Sequence, residues 1–499
     1  MAVSISTIGY TGWTPHKTIL SGESVRGKPG MQFLGFPGKL VAQLQTVIPT
    51  VFRAAGITLP ARKIVFTCSP PIPAIANLHA LSFPICVLLL ALSDHIPTPK
   101  MSRVFAGEVQ PDGTLQSPQP LPSFLCAANK LDCTHLVLPA AKLEGTFEYL
   151  LHSIQVDSPD TLLDFCTHER TGAAHKSVQL ITKQPEECDT PNFSDIHGLW
   201  HIKRALIIAV AGCHHTLLVG PPGVGKTHIA RTAESLLPPL SPMEQTSLQT
   251  LYALSGRSFA TQLAPFRSPN SRTNQSALIV DTKTTKPGEV CMAHTGILFL
   301  DELSEFSTQT LSSLRLPMET GKAQYEQNNY YPAEATVIAA TNPCRCAHRT
   351  GGNKQSCVCD PANPPYRKKL GGALLDRFAL HCQLSPAPAS DLIAYQPDTK
   401  TTADIRAQIT VARDLQKTRF QTQLWRANGW ASAKYLFAHC LQDAETKDFF
   451  TLVTKKLNTS VRWQRQLLAI SRTIADLEVS PTVRPEHIAE AMQYRPEIE

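Results

Sequence analysis

The sequence predicts an α/β protein with an N-terminal α+β domain, a central domain with a parallel sheet and a helical C-terminal domain. Three observations indicate this: short β-branched runs in residues 1–166, apolar strands alternating with amphipathic helices over 193–385, and helical periodicity over 386–499. A chain of 499 residues is also long for one compact domain. The polar stretch 167–192 is predicted to be a linker.

The first 166 residues combine strand-like runs with turns. KIVFTC at 63–68 has the β-branched character of a strand, and Pro-Asp-Gly at 111–113 predicts a turn between two further strands. The N-terminus lacks the basic and apolar pattern of a signal peptide. The longest apolar run, 85–92, is well short of the roughly 20 residues that span a bilayer. We therefore expect a cytoplasmic protein without a membrane partner.

A phosphate-binding loop is predicted where the apolar run 216–219 leads into a helix. The eight residues from Gly220 fit the pattern G-x-x-x-x-G-K-[ST] in the strand–loop–helix context that this loop requires. Lys226 would reach the β- and γ-phosphates of ATP, and the Thr227 hydroxyl would bind Mg²⁺. The residues predicted to hold the nucleotide are Gly220, Pro221, Pro222, Gly223, Val224, Gly225, Lys226, Thr227 and His228.

Two carboxylates close a second apolar run, Ile-Leu-Phe-Leu at 297–300. Four consecutive apolar residues predict a strand that is buried on both faces. Asp301 would organise the water shell of Mg²⁺, and Glu302 would polarise the water that attacks the γ-phosphate. Together with the phosphate-binding loop, the pair predicts a hydrolytic site for ATP and Mg²⁺.

Two further polar residues have a catalytic and a structural interpretation. Asn342 follows the apolar run 336–341 and would position the attacking water, although an Asn before Pro343 is also typical of a turn. Arg377 follows a short helical run and would stabilise transition-state charge on a neighbouring subunit, although an exposed Arg also forms surface ion pairs. The sequence leaves both alternatives open.

These motifs, in this order, resemble those of the AAA+ ATPases. Segments such as APFRSP, KPGEVCMAHTGILFLDELSEF and YPAEATVIAATNPCRC resemble the magnesium-chelatase-like competence protein ComM (YifB-type) family, and FAGEVQPDGTL extends the likeness to the N-terminal domain. The resemblance assigns Lys226 and Thr227 to the Walker A motif, Asp301 and Glu302 to the Walker B motif, and Asn342 to sensor 1. It assigns Arg377 to the arginine finger and Arg462 to sensor 2. Arg472 is the alternative for sensor 2.

The resemblance also implies folds, an assembly and an activity. It implies a Lon-protease-like (ribosomal S5 domain 2-like) N-terminal fold, an AAA+ core, a helical lid, and a homo-hexameric ring with ATP between subunits. The implied activity is that of a DNA helicase or translocase driving branch migration, with recombination proteins as partners, when incoming DNA recombines in natural transformation. A chelatase-type ATPase that remodels a partner protein and a ring with weakened motor activity are the alternatives.

Two segments depart from the pattern of that family. Paired histidines normally follow APFRSP, where this chain has Asn270 and Ser271. The hairpin after Gly321 usually carries Ile-Ser-Arg, where this chain has Tyr325, Glu326 and Gln327. Both segments lie in inserts that face the pore or the DNA in this branch. The departures therefore concern the residues that would contact the substrate, and they leave the residues predicted to hydrolyse ATP unchanged.

Four clustered cysteines suggest a metal site within the loop 344–359. Four thiolates can close a tetrahedral Zn²⁺ site, although the C-x-C spacing is tighter than the commoner C-x₂-C, and free thiols in a reducing cytosol are the alternative. Basic residues at 345, 349 and 367–369 would make a folded loop suited to phosphate contacts. The predicted ligands are Cys344, Cys346, Cys357 and Cys359.

The C-terminal domain contains the positive surplus of the chain. Residues 400–476 hold 13 Lys or Arg against 6 Asp or Glu, a surplus that equals the net charge of +7. A basic face suits nucleic acid, whereas an ordinary solvated helical surface is the alternative interpretation.

The Lon-like resemblance of the N-terminal domain raises a protease hypothesis with Ser82 as nucleophile. No Gly-x-Ser element surrounds Ser82, and no lysine is obviously placed to activate it. Assembly or docking of DNA is therefore the favoured role of this domain.

Overall fold

The computed structural model describes residues 2–495 except 12, 72–80, 119–120, 140–141, 145–153, 174–178, 182–191, 194–195, 197–198, 258, 260, 283, 327–328, 344–364, 386–399, 422–425 and 458. The chain divides into two compact units. The first comprises Met1–Pro185, Ser241–Ala260 and Gln327–Tyr330, and the second comprises Glu186–Leu240, Thr261–Glu326 and Tyr331–Glu499. Apart from Ser241–Ala260 and Gln327–Tyr330, the predicted central and C-terminal domains lie together in the second unit, and their apolar side chains share one buried core.

A seven-stranded mixed sheet dominates the first unit. The strands of this part of the chain are β1 Ala2–Thr11, β2 Thr14–Val25, β3 Gly30–Leu34, β4 Lys63–Ser69, β5 Arg103–Phe105, β6 Glu108–Val109, β7 Leu115–Gln116, β8 His135–Val137, β9 Lys142–Glu144, β10 Gln155–Asp157 and β11 Gln179–Ile181. The order in the large sheet is β10-β8-β5-β1-β2-β4-β3. β6 and β7 form an antiparallel pair around the predicted turn, where Gly113 has a φ of 86°. The α+β prediction for this domain is confirmed.

The helices of the first unit cover the sheet with apolar side chains. They span Gly38–Ala54, Ser82–Leu92, Leu121–Lys130, Leu162–Thr171 and Pro242–Leu254. Residues Ser82 to Ala91 are all buried, so the longest apolar run of the sequence is a core helix. None of the helices in the described ranges is long and apolar enough to cross a membrane.

One helix of the first unit crosses the predicted start of the linker at residue 167. Thr161 caps it, since its hydroxyl accepts a hydrogen bond from Asp164 N at 3.0 Å. Phe165 is buried in the first unit, and Gly172 ends the helix with a φ of 68°. Packing of its apolar side therefore holds the segment as a helix up to Thr171, where the polar sequence predicts a linker.

A five-stranded parallel sheet forms the centre of the second unit, as predicted. The strands after residue 200 are β12 Thr216–Val219, β13 Phe266–Arg267, β14 Val280–Asp281, β15 Lys286–Pro287, β16 Ile297–Leu300, β17 Lys322–Glu326, β18 Asn329–Pro332, β19 Thr336–Thr341 and β20 Leu380–Gln383. The order in the parallel sheet is β13-β16-β19-β12-β20. After β12, the chain adds β13, β16 and β19 on one side of β12. It then crosses to the other side of β12 to add β20. A strand-order reversal of this kind marks a crevice at the carboxyl ends of the strands.

Helices flank this sheet and make up the C-terminal region, as predicted. Thr401 begins the first C-terminal helix through a reciprocal capping box with Asp404. The helix Val461–Leu477 packs against the helix Trp200–Gly212, so the C-terminal helices and the sheet domain share their core. The α-helices of this unit span Trp200–Gly212, Lys226–Thr232, Gln275–Leu278, Glu289–Met292, Thr308–Ser313, Arg315–Thr320, Pro365–Leu370, Gly372–Leu375, Thr402–Arg419, Ala433–Cys440, Ala444–Lys456, Val461–Leu477 and Pro485–Met492.

Candidate nucleotide-binding site

The predicted phosphate-binding loop joins the carboxyl end of β12 to the helix Lys226–Thr232. Gly223 and Gly225 have φ angles of 79° and 87°, which residues with a Cβ rarely adopt. A Cβ on Gly220 would lie 2.8 Å from Leu384 Cβ and 2.9 Å from Leu384 O. Glycine is therefore required at these positions, and the bare backbone of the loop can approach a phosphate group closely.

Lys226 is buried beneath this loop. Its Nζ donates hydrogen bonds to Gly220 O at 2.8 Å, to Pro221 O at 2.7 Å and to Asn342 Oδ1 at 2.9 Å. Burial lowers the pKa of Lys226, and the carboxylates of Asp301 and Glu302 oppose that shift. Because its three acceptors are neutral oxygens, the ammonium group keeps its charge available for an anion in the loop.

Thr227 and Asp301 meet beside Lys226. Thr227 Oγ1 donates to Asp301 Oδ2 at 2.6 Å, while Asp301 Oδ1 accepts from Glu302 N at 2.9 Å. Glu302 has a φ of 48°, so the chain turns sharply where β16 ends. Hydroxyl and carboxylate oxygens are ligands that Mg²⁺ accepts in proteins, so this pair fits the predicted metal.

The register of the sheet explains why these residues converge. Val219 in β12 lies opposite Thr341 in β19, and Leu300 in β16 lies opposite Ala339. All three strands are parallel, so the residues that follow them lie at one edge of the sheet. Asp301 and Asn342 therefore reach the loop from different strands.

The remaining loop residues differ in exposure. Pro221 is buried, whereas Pro222 and His228 are exposed. Val224 packs against the apolar core of the second unit and anchors the middle of the loop. The predicted nucleotide-binding residues thus form one continuous surface element around Lys226.

Arg377 and Arg462 meet each other at Glu319, not at the loop. Arg377 Nε donates to Arg315 O at 3.0 Å, and its two terminal nitrogens donate to Ala373 O and to Glu319 Oε2. Arg462 Nη2 donates to Glu319 Oε1 at 2.9 Å. Both guanidinium groups hold the pKa of Glu319 below its usual range against the opposing effect of desolvation. The ion-pair interpretation of Arg377 is therefore confirmed within this chain.

These side chains line a cleft of about 430 Å³ in the second unit. His215, on another wall of the cleft, joins the helix Arg315–Thr320 to the sheet: its Nε2 lies 2.9 Å from Met318 O, and its Nδ1 accepts from Val337 N at 3.1 Å. Because one ring nitrogen accepts and the other faces a carbonyl, the imidazole is neutral with its proton on Nε2. Burial lowers the pKa of His215 to about 4. His215 thus sets the position of Glu319 through the neighbouring Met318.

Arg472, the alternative for sensor 2, has a structural role. Arg472 Nε donates to Asp476 Oδ1 at 3.0 Å, and Arg419 and Asn428 bond the same fully buried carboxylate. This network fixes three segments of the C-terminal region to one another. Only Arg462 of the two candidates lines the cleft with Arg377.

The arginines of the basic stretch 400–476 are partly exposed, apart from Arg472, which is buried. Each of the seven arginines in this stretch bonds an acceptor of the second unit, whereas its six lysines are exposed beside five exposed acids. The long arginine side chains thus tie segments of the second unit together through charged hydrogen bonds and ion pairs. The arginine acceptors are Ser235 O for Arg406, Val210 O for Arg413, Asp476 for Arg419 and Arg472, Glu334 for Arg426, Glu319 for Arg462, and Ala431 O and Gly429 O for Arg465.

Several predictions fall outside the described residues. Cys344, Cys346, Cys357 and Cys359 lie there, as does Gln327. Within the described ranges, no group of three or more His, Cys, Asp or Glu side chains could hold a metal ion.

The departing residues Asn270 and Ser271 lie in a turn. Asn270 Oδ1 accepts from Arg272 N at 2.9 Å. Ser271 lines a second cleft of about 510 Å³ with Arg272 and Lys369.

Ser82, the residue of the protease hypothesis, is buried at the start of its helix. Its Oγ accepts a hydrogen bond from Val109 N at 2.9 Å. The hydroxyl therefore joins the helix to β6, which is a structural role.

Comparison with known proteins places this site in a family. Residues 192–392 match the family described as magnesium chelatase, subunit ChlI, and residues 399–495 match its C-terminal counterpart. The competence protein ComM of Haemophilus influenzae is 30% identical over 481 residues, which cover 94% of this chain and 92% of that protein. The chain belongs to the ComM/YifB-type family of magnesium-chelatase-like AAA+ ATPases. Membership of this family suggests ATP and Mg²⁺ as the ligands of the chain.

Two further relatives cover different shares of the chain. The protein YifB of Salmonella typhimurium is 30% identical over 480 residues, again covering 94% of this chain and 92% of that protein. The Lon protease 2 of Bacillus subtilis is 27% identical over 177 residues, which cover 33% of this chain and 31% of that protease. The family resemblance seen in the sequence is therefore confirmed.

Sequence reasoning missed Glu319 and Arg465 in the arginine cleft. Glu319 is the second-to-last residue of the helix Arg315–Thr320, and no motif marks it. Arg465 lies three residues after Arg462 on one helix, and this spacing, which places two side chains on the same face, was the one available signal.

Proposed function

We propose that the chain is an ATP-hydrolysing ring motor that acts on DNA. The observation that carries its ATP chemistry is the convergence of Lys226, Thr227, Asp301 and Asn342 at one sheet edge, joined by hydrogen bonds of 2.6 and 2.9 Å. A cation, a hydroxyl–carboxylate pair and an amide beside a glycine loop are the groups that phosphoryl transfer uses.

Each residue of the site has a different role in ATP hydrolysis. Lys226 exchanges the carbonyl oxygens of its own loop for oxygens of the β- and γ-phosphates. Thr227 and Asp301 would hold Mg²⁺, which would supply positive charge to neutralise those phosphates. Glu302 accepts the proton of the attacking water, and Asn342 orients that water.

Arg377 and Arg462 act on the ATP of a second copy of this chain. Within one copy they bond Glu319, whereas the phosphate-binding groups gather around Lys226. A homo-hexamer with ATP between subunits, as the family resemblance implies, brings the two sets together. The isolated subunit then hydrolyses ATP slowly.

DNA is the proposed substrate because the chain is similar over most of its length to a competence protein. Branched DNA, handled by branch migration during recombination of incoming DNA and together with recombination proteins, is the specific form of this proposal. A second candidate is an ATPase that remodels a partner protein. It is favoured because the arginines of residues 400–476 bond acceptors within the second unit, and five exposed acids nearly balance the six exposed lysines of this stretch.

Strand displacement on a synthetic four-way junction tests the first candidate. The wild type should separate the junction in an ATP-dependent manner, and its ATPase rate should rise with DNA in a salt-sensitive way. Glu302→Gln should bind ATP but lose about 10²-fold or more of the hydrolysis rate, because the proton acceptor is gone. Glu305→Gln, three residues further on, is the matched control.

Three outcomes separate the candidates. ATPase activity that ignores DNA, combined with a stoichiometric protein partner in a pull-down, supports the remodelling ATPase. ATP binding without strand displacement supports a ring with weakened motor activity. A wild type that binds no ATP contradicts the proposal altogether.

Zinc is a separate proposal for Cys344, Cys346, Cys357 and Cys359. Four thiolates within sixteen residues have the number of ligands that a structural zinc site needs. Elemental analysis of the purified chain should find one zinc per subunit, and Cys357→Ser should lower that content.

A further inference from the structure

Glu319 joins the two arginines that are proposed to act across a subunit boundary. Arg377 and Arg462 each donate to a different oxygen of its carboxylate. The Glu319 side chain is 49% exposed, whereas that of Arg377 is 14% exposed. One solvent-facing carboxylate therefore holds two guanidinium groups side by side.

The hydrogen bonds of Arg377 are made within its own chain. Its Nε donates to Arg315 O, one terminal nitrogen to Ala373 O and the other to Glu319. A guanidinium grips a phosphate best through two parallel N–H groups. Arg377 must therefore give up an internal bond to do so, and the bond to the exposed Glu319 is the one that water already screens.

The cleft beside Glu319 contains more positive than negative charge. Arg465 lines it together with Arg377 and Arg462, and its Nε and Nη2 donate to the carbonyl oxygens of Ala431 at 2.9 Å and Gly429 at 2.7 Å. Burial lowers the pKa of Arg465, and the neighbouring Arg462 adds to that shift. Three guanidinium groups thus line the same cleft as one carboxylate, an excess of positive charge that attracts a further anion.

We propose that Glu319 is a positioning residue that a phosphate group replaces. It holds Arg377 and Arg462 as a pair in the free subunit, and the terminal phosphate of the ATP bound by a second copy of this chain takes its place on assembly. The inference rests on the proposed function, since it requires ATP between subunits. Glu319 does not touch ATP in this scheme: it competes with ATP for the two arginines.

The substitution Glu319→Gln tests the competition. Glutamine keeps the shape and one acceptor but lacks the charge, so the arginines leave it more readily. The protein concentration that gives half-maximal ATPase activity should fall about two- to fivefold, the scale of a solvent-screened ion pair. ATP affinity at the Lys226 loop should stay unchanged. Glu445→Gln, an exposed acid in the first turn of the helix Ala444–Lys456, is the matched control.

A double-mutant cycle separates this role from a merely structural one. In an Arg462→Ala background, Glu319→Gln should have a clearly smaller effect, because one of its two partners is gone. An equal effect in both backgrounds, a rise in the half-maximal concentration or no change would each overturn the proposal. Unaltered ATP binding and thermal unfolding show that each variant is folded. A wild type without ATPase activity contradicts the proposed function instead.

Discussion

The nucleotide loop and the arginine cleft lie in the same unit but are built in different ways. The loop is one continuous stretch, 220–227, whose backbone is shaped by glycines. The cleft collects Glu319, Arg377 and Arg462 from three separate segments that only packing brings together. A site of the first kind is encoded by neighbouring residues, whereas a site of the second kind depends on the whole unit being folded.

The two regions also treat their charges differently. Lys226 is held by neutral oxygens and keeps its charge for a ligand. Arg377 and Arg462 are held by a carboxylate that neutralises part of theirs. The loop is therefore ready for phosphate in a single subunit, while the arginines become available when something displaces Glu319.

The largest expected effect is on the ATPase rate, when the nucleotide loop and the arginine cleft are inactivated in different subunits. Arg377→Ala should lower the ATPase rate about 10³-fold, because it removes the charge that stabilises the transition state. Lys226→Ala should abolish ATP binding in its own subunit. Mixing the two variants should restore measurable activity, since one supplies the arginine and the other an intact loop. The steady-state ATPase rate of mixtures at fixed total protein measures this.

Arg484→Ala, an exposed arginine outside both regions, is the control and should behave like the wild type. Activity that stays absent at every mixing ratio would contradict an arginine acting between subunits. Full activity of Arg377→Ala alone would show that the cleft has no part in hydrolysis.

A second test concerns His215, which ties the cleft to the sheet. Its pKa is lowered from 6.5 to about 4 by burial, so protonation favours the unfolded chain. Its contribution to stability is complete above pH 6.5, is lost as the pH falls towards 4, and does not change further below that. His215→Gln should make the dependence of the unfolding free energy on pH shallower by up to about 1.4 kcal/mol per pH unit in this window.

Chemical denaturation at several pH values between 4 and 7 measures this slope. His228→Gln, an exposed histidine of the loop, should leave it as in the wild type. His214, whose pKa burial lowers to about 3, contributes in the same direction, so part of the slope should persist. A slope identical to the wild type in His215→Gln would mean that this imidazole does not set the stability of the cleft.

The smallest expected effect is on stability, when a glycine in each of the two regions is replaced by alanine. Gly220→Ala should destabilise the second unit by about 1–3 kcal/mol, because its Cβ would overlap with Leu384. Gly372→Ala, beside the arginine cleft, has open space for a Cβ and should be neutral or slightly stabilising. Thermal unfolding together with ATP affinity measures both effects. Equal behaviour of the two variants would mean that the loop does not require glycine at position 220.

Much of the fold could be predicted from local patterns. Short, largely apolar runs predicted β12 and β16, and helical periodicity predicted the C-terminal helices. The helix that runs to Thr171 could not be predicted as such, because its polar sequence hides the burial of Phe165. The role of the basic stretch 400–476 could not be read from its charge either, since charge counted along a chain does not tell which side chains bond acceptors within the fold.

The sequence by itself determined the chemistry of the nucleotide loop, because glycines, Lys226 and Thr227 act within one turn of chain and Asp301 and Asn342 end predictable strands. Only the tertiary structure decided where Arg377 and Arg462 point. Their shared partner, Glu319, lies 58 and 143 residues away in the chain. Contacts over such distances depend on how helices pack against the sheet, and no local pattern records that packing.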